Sequence, residues 1–249
     1  MTAALRTEGL SVAYGGVHAL VDADVAVAPG RLVGLIGPNG AGKTTFIDAV
    51  SGFTPATGRV WLNGEDVTGL PPHRRARAGL GRTWQAGDLF DDLTVAENLA
   101  VAARPTMRRR PGGHADPRGV LARLGLEAVA DRPATELSQG QRKLVGVARA
   151  LVAEPSVVCL DEPAAGLDTD ESRDLGRRLR ALVDEGAAML LVDHDMGLVL
   201  SVCDEVVVLD FGRVIARGTP DEVRTDHTVI EAYLGGAAAE VEADLREEA

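Results

Sequence analysis

Apolar residues recur at every second position early in the chain. The pairs Leu10 and Val12, then Val25 and Val27, predict short β-strands between residues 5 and 36. From Leu32 to Ile36 the apolar residues are almost continuous, as in a strand buried on both faces. Arg59 to Leu62 repeats the strand signal, and the following Asn63-Gly64 suits the backbone of a tight antiparallel hairpin. The pattern turns helical from Ala96 to Leu151, with one interruption from Arg104 to Gly119. There Pro105, Pro111, Gly112, Gly113, Pro117 and Gly119 predict a loop, and its Arg108-Arg109-Arg110 run reads as a solvated charge cluster. Three later apolar runs, Val157 to Leu160, Met189 to Val192 and Val206 to Leu209, alternate with helix-like segments, which predicts a parallel sheet. The last stretch, Gly236 to Ala249, is rich in Ala and Glu and reads as a frayed or disordered acidic tail.

Composition narrows the classes. A chain of 249 residues with 45% apolar content can bury one large α/β core. A formal net charge of −11 argues against a general nucleic-acid binder, which needs a basic field. Cys159 and Cys203 each sit inside an apolar run and read as buried structural thiols. No apolar stretch approaches the ~20 residues that span a bilayer, and the N-terminus lacks a signal pattern, so the expected location is cytoplasmic.

Two motifs carry chemistry. Gly37-Pro38-Asn39-Gly40-Ala41-Gly42-Lys43-Thr44 fits the P-loop pattern, directly after a predicted strand and before a helical stretch. Glycines at these positions let backbone N–H groups approach phosphate oxygens, and the following helix turns its positive end to the same anion. Lys43 is then placed for the β- and γ-phosphates and Thr44 for magnesium. The second motif is an apolar strand ending in carboxylates, Val157-Val158-Cys159-Leu160-Asp161-Glu162. Asp161 is expected to hold magnesium. Glu162, one residue past the strand end, is placed to accept the proton of a water attacking the γ-phosphorus.

Between these motifs lies Leu137-Ser138-Gln139-Gly140-Gln141, followed by a helix-like segment. Motif order, spacing and context together resemble the ABC transporter ATPases, and the resemblance covers roughly residues 5 to 235. It implies a P-loop α/β core with an antiparallel β subdomain and a helical subdomain at about residues 85–150. It also implies ATP and Mg2+ as ligands. Carried over residue by residue, it assigns adenine stacking to Tyr14, nucleotide contacts to Gly37 through Thr45, and partner-side nucleotide contacts to Ser138 and Gly140. Asp168 would stand at the dimer seam and His194 near the γ-phosphate. Gln85 would sense the metal and the attacking water beside the membrane-subunit contact. Gln139 departs from the glycine that many members carry.

Within that family the chain looks most like the ATPases of branched-chain amino acid importers, on Arg82-Thr83-Trp84-Gln85, Asp161 to Leu167, His194-Asp195-Met196, and Phe211 to Ala216 through Tyr233-Leu234-Gly235. The loop from Arg104 to Gly119 is shorter than those importers often carry. Related polar solutes, lipopolysaccharide-type export and a soluble non-transport ATPase are the alternatives. The expected partners are transmembrane permease subunits and a second ATPase subunit arranged head to tail. The complex would lie on the inner face of the cell membrane.

Overall fold

The computed structural model describes residues 2–84, 89–103 and 116–234. The N-terminal part is an antiparallel sheet of β1 (Leu5–Tyr14), β2 (Val17–Ala23), β3 (Ala26–Val27), β5 (Thr57–Leu62) and β6 (Glu65–Asp66). Strands β5 and β6 form the hairpin that Asn63-Gly64 predicts. Trp61 pairs with Asp66 and Leu62 with Glu65, while both turn residues take positive φ, 50° and 81°.

The second sheet has the order β11-β10-β4-β9-β8-β7. Its strands are β4 (Leu32–Ile36), β7 (Leu80–Arg82), β8 (Val157–Asp161), β9 (Met189–Val192), β10 (Glu205–Asp210) and β11 (Arg213–Gly218). From β10 to β7 every pairing is parallel, and β11 closes one edge antiparallel. All residues of β4, β8 and β9 are buried, which is why these strands read as unbroken apolar runs.

Two cores meet at this sheet. Alternate side chains of one face (Val33, Leu35, Cys159, Leu190, Val207) pack with the antiparallel sheet and with Phe46 and Ile47 of helix α1 (Lys43–Ser51). The other face (Leu32, Ile36, Val158, Leu160, Leu191, Val208) packs against the remaining main helices. These are α3 (Val95–Ala102), α4 (Pro117–Arg123), α5 (Gln139–Leu151), α6 (Thr169–Asp184) and α7 (Met196–Val202), with α2 (Pro72–Arg77) and α8 (Pro220–Thr225) as shorter peripheral turns. Helix α6 buries Leu175, Leu179, Leu182 and Val183, the spacing of one helical stripe.

The helical region differs from its sequence reading in two ways. The predicted loop ends early: the Asp116 carboxylate accepts from the Gly119 N–H at 2.9 Å and caps α4, which begins at Pro117. Proline suits that first position because the helix has no use there for its missing N–H. Between α4 and α5 the helical pattern breaks again into short 3-10 turns at Glu127–Val129 and Ala134–Glu136. The acidic tail from Gly236 and the Arg108 to Arg110 run lie outside the described residues.

Both cysteines are buried and unpaired, and burial pushes each thiol up to about 12. Neither lends itself to redox or metal chemistry.

The far end of α1 is fixed by a buried cation. The Arg75 guanidinium donates to Ala49 O and Val50 O, both at 2.8 Å, and also to Leu70 O at 2.9 Å and Thr68 O at 2.6 Å. Val50 O thereby gains the partner that a helix end leaves it without, and Ala49 O a second one beside the Gly52 N–H. Replacing Arg75 with Met takes four hydrogen bonds from these carbonyls, of which Ala49 O keeps the Gly52 N–H, with an expected loss of about 3 kcal/mol of stability. Urea denaturation of the two proteins measures the difference; a change below about 0.5 kcal/mol would show that the carbonyls find other partners.

Candidate functional site

The site assembles where parallel strands end. Leu35 of β4 is paired with Val192 of β9, and Val192 with Asp161 of β8, so three neighbouring strands finish in one row. The segments that leave this row are Gly37 to Thr44, Glu162 to Asp168 and Asp193 to Asp195. Loops beyond the carboxyl ends of such strands are where α/β proteins hold ligands.

The phosphate loop is tight where it leaves β4 and open at its tip. A Cβ on Gly37 would lie 2.1 Å from Leu209 O, whereas one on Gly40 would meet nothing within 4 Å. Asn39, Gly40 and Thr44 are exposed at the rim, with Thr45 half-buried behind them. Lys43 is buried, and its ammonium donates to Gly37 O at 2.6 Å and Pro38 O at 3.0 Å. Burial lowers its pKa, and the negative charge of Glu162 acts in the opposite direction. That coupling puts the second motif in the field of the first.

Asp161 is 2% exposed. Its Oδ2 accepts from Arg82 Nη2 at 3.1 Å, its backbone N–H donates to Thr83 Oγ1 at 2.9 Å, and its Oδ1 is buried with no protein partner. Burial raises its pKa, against the pull of Arg82. A lone buried carboxylate oxygen beside an anion-binding loop suits a hard cation such as Mg2+, which takes few protein carboxylates and completes its shell with phosphate and water. Among the described residues there is no cluster of three or more His, Cys, Asp or Glu that would cage a metal by itself. Glu162 is half-buried with φ of 46°, a left-handed backbone held by its N–H donating to Val192 O at 2.7 Å.

His194 is exposed, and its Nδ1 stands 3.6 Å from Asp193 Oδ1, too far for a hydrogen bond. Asp193 itself is buried. Its Oδ2 accepts from the Ala164 N–H and its Oδ1 from the Asp195 N–H, both at 3.0 Å. Burial raises the Asp193 pKa against these donors. This carboxylate, which the sequence reading passed over, ties the histidine segment to the turn after Asp161.

Tyr14 is 54% exposed and its hydroxyl lies 3.3 Å from Thr54 Oγ1, which leaves most of the ring surface free for stacking. Gln85 lies outside the described residues.

Ser138 and Gly140 open a helix on the other face of the sheet from α1. Helix α5 packs into the helical core and α1 into the core on the sheet's other face, so the sheet separates them. Ser138 caps α5 in a reciprocal pair with Gln141, at 3.2 and 3.1 Å. The side chain of Gln139 lies against Gly166, where a Cβ would come within 2.3 Å of its Nε2. Thus the departure at Gln139 is matched by the lack of a side chain at Gly166. Asp168 is exposed and caps α6, accepting from the N–H groups of Asp170 and Glu171 at 2.9 and 2.8 Å.

Residues 20–165 match the family described as ABC transporter. The chain belongs to that family. Residues 213–239 also match the family described as branched-chain amino acid ATP-binding cassette transporter. Two relatives are the high-affinity branched-chain amino acid transport ATP-binding proteins BraF of Pseudomonas aeruginosa and LivG of Escherichia coli. Each is 37% identical over 250 residues, covering 94% of this chain and 98% of the relative. The lipopolysaccharide export ATP-binding protein LptB of Escherichia coli is 36% identical over 239 residues, with the same coverage. Among solved structures, an ATP-binding cassette in its ADP conformation superposes with TM-score 0.84 at 31% identity, covering 94% of this chain and 100% of that one. As an ABC cassette this chain binds nucleotide and hydrolyses ATP, and it is related to the ATPases of branched-chain amino acid transporters.

The contrast between loop entry and tip gives a direct test. Gly40→Ala, at φ of 78° in open space, is expected to cost about 1 kcal/mol. Gly37→Ala must push apart two backbone segments and is expected to cost at least about 3 kcal/mol and to abolish nucleotide binding. Thermal melts and a fluorescent-nucleotide titration of both variants check this; equal effects would mean that the loop entry is not the tight point.

Proposed function

We propose that the chain powers import of branched-chain amino acids or related small polar solutes, as a peripheral subunit on the cytoplasmic face of a membrane. The observation that carries the chemistry is that the segments bearing Lys43, Asp161, Glu162 and His194 leave three adjacent strand ends. Support for the cargo class comes from the match of residues 213–239 and from the names of BraF and LivG. Lipopolysaccharide export is the second reading, favoured by the likeness to LptB.

In this reading Tyr14 stacks on the adenine and the N–H groups from Gly37 to Thr45 hold the phosphates. Lys43 moves from Gly37 O and Pro38 O to the β- and γ-phosphates. Thr44 and Asp161, with Gln85, would hold Mg2+, which would neutralise charge on the phosphate oxygens. Glu162 accepts the proton of the attacking water, and its strained backbone fixes where the carboxylate points. His194 contacts the γ-phosphate, on a segment that Asp193 ties to the turn after Asp161 through the Ala164 and Asp195 N–H groups.

The placement of α5 and α1 on opposite faces of the sheet supports a site shared between two chains, head to tail, with Asp168 at the seam. The second chain is another copy or a paralogue. The helical subdomain, about residues 85–150, then carries Ser138 toward the partner's nucleotide. Exposed Trp84 opens a cleft of about 170 Å³ lined also by Ala102, Val147 and Arg149, and this face suits a permease subunit. No helix among the described residues is long and apolar enough to cross a membrane.

Two experiments test the reading. Glu162→Gln keeps shape but cannot accept a proton, so it is expected to bind ATP normally while turnover falls at least about 100-fold. An ATPase assay showing near-wild-type turnover removes Glu162 from the base role. The shared site is tested by mixing Lys43→Ala with Ser138→Arg. Each variant alone is expected to be inactive, but the mixed dimer has one unmutated site and recovers part of the rate. Crosslinking confirms that mixed dimers form; full activity of Ser138→Arg alone contradicts a shared site.

A further inference from the structure

Arg82, at the end of β7, is a buried cation between the two motifs. Its side chain is 8% exposed and its guanidinium forks between two carboxylates. Nη1 donates to Asp48 Oδ1 at 2.6 Å and Nη2 to Asp161 Oδ2 at 3.1 Å. The indole of Trp84 covers it at 4.2 Å from the ring centroid, and Phe53 flanks it at 5.7 Å. These two rings meet edge to face at 5.0 Å. Asp48 lies on α1, the helix that opens at the phosphate loop, while Asp161 ends β8. One planar group therefore spans both motifs, with its plane set by an aromatic face.

The consequence concerns Asp161. A carboxylate on a strand end can rotate about its Cβ–Cγ bond, and a partial rotation turns both oxygens out of line with a fixed cation. With Oδ2 held by Arg82, the oxygen left without a protein partner is Oδ1. We propose that Arg82 is a positioning residue for the metal: it locks the Asp161 carboxylate in one orientation, anchored through Asp48 to the phosphate-loop helix, so that Oδ1 is kept for the cation. This rests on the reading of Asp161 as a metal-holding residue. The role is indirect: Arg82 acts through Asp161, whose Oδ2 it holds. The requirement is for a fork. Lysine supplies the same charge at one point and cannot hold both carboxylates in a fixed plane.

Mn2+ serves as the probe, with free Mn2+ measured by electron paramagnetic resonance in full-length protein saturated with a non-hydrolysable ATP analogue. Analogue affinity in EDTA and melting temperature are recorded in parallel. Arg82→Lys is expected to weaken Mn2+ binding about tenfold, as loss of a partner behind a metal ligand commonly does, with analogue affinity in EDTA unchanged. Asp48→Ala removes the anchor and should also weaken Mn2+ binding, even if Arg82→Lys fails to fold. Asp48→Asn keeps an oxygen for Nη1 and should bind Mn2+ as the wild type does. Wild-type Mn2+ affinity in Arg82→Lys or in Asp48→Ala overturns the inference. So does a loss in all three variants that simply tracks their melting temperatures, which would make Arg82 a structural tie only. Asp161→Asn distinguishes the two levels: if it leaves Mn2+ binding intact, the metal assignment itself fails, and this inference with it.

Discussion

The register of three parallel strands is the constraint on which the rest depends. Leu35, Val192 and Asp161 form one row across β4, β9 and β8. Because side chains alternate faces with a period of two, a slip of one residue would reverse inside and outside for a whole strand. Both faces of these strands are buried, so such a slip would disrupt packing in both cores at once. Hydrophobic burial thus sets the register, and the register sets which loops are neighbours. The chemistry follows from packing: the phosphate loop, Glu162 and His194 are brought together because apolar strands beneath them have only one good alignment.

That alignment carries unfavourable terms. Lys43, Asp161 and Asp193 are buried charges, each with its pKa moved by burial toward the neutral form, and Glu162 takes a left-handed backbone that costs of order 1–3 kcal/mol. Against a typical folding stability of 5–15 kcal/mol these are large. Each is met by fixed partners. Loop carbonyls hold Lys43, Arg82 holds Asp161, two backbone N–H groups hold Asp193, and Val192 O holds the Glu162 N–H. Such sites are stable because surrounding structure over-determines them, which also keeps them pre-organised for charge developing on a phosphate.

What the sequence made legible were features with a period or a spacing. Strands β4, β8, β9 and β10 announced themselves as apolar runs, and the phosphate loop and its carboxylate partner strand as local patterns. The helical region was read less well. Pro117 to Gly119 looked like loop because proline and glycine usually break helices, but Asp116 supplies a cap that makes Pro117 a suitable start. Residues between α4 and α5 have helical composition yet turn tightly, with Gly125 at positive φ. The role of Arg82 was not legible at all. Its partners are 34 and 79 positions away along the chain, and no local signal relates a guanidinium to carboxylates brought near only by folding. Asp193 and the Gln139–Gly166 contact were hidden for the same reason.

The central claim, that strand ends of one chain and the signature segment of another close on one nucleotide, is tested most directly by amide hydrogen exchange with and without Mg2+ and a non-hydrolysable ATP analogue. A shared site gives new protection in residues 37–45, 161–168 and 192–196 together. Protection in residues 138–142 then grows with protein concentration, as a contact supplied by a second chain must. Protection confined to 37–45, or protection of 138–142 that is independent of concentration, would contradict it.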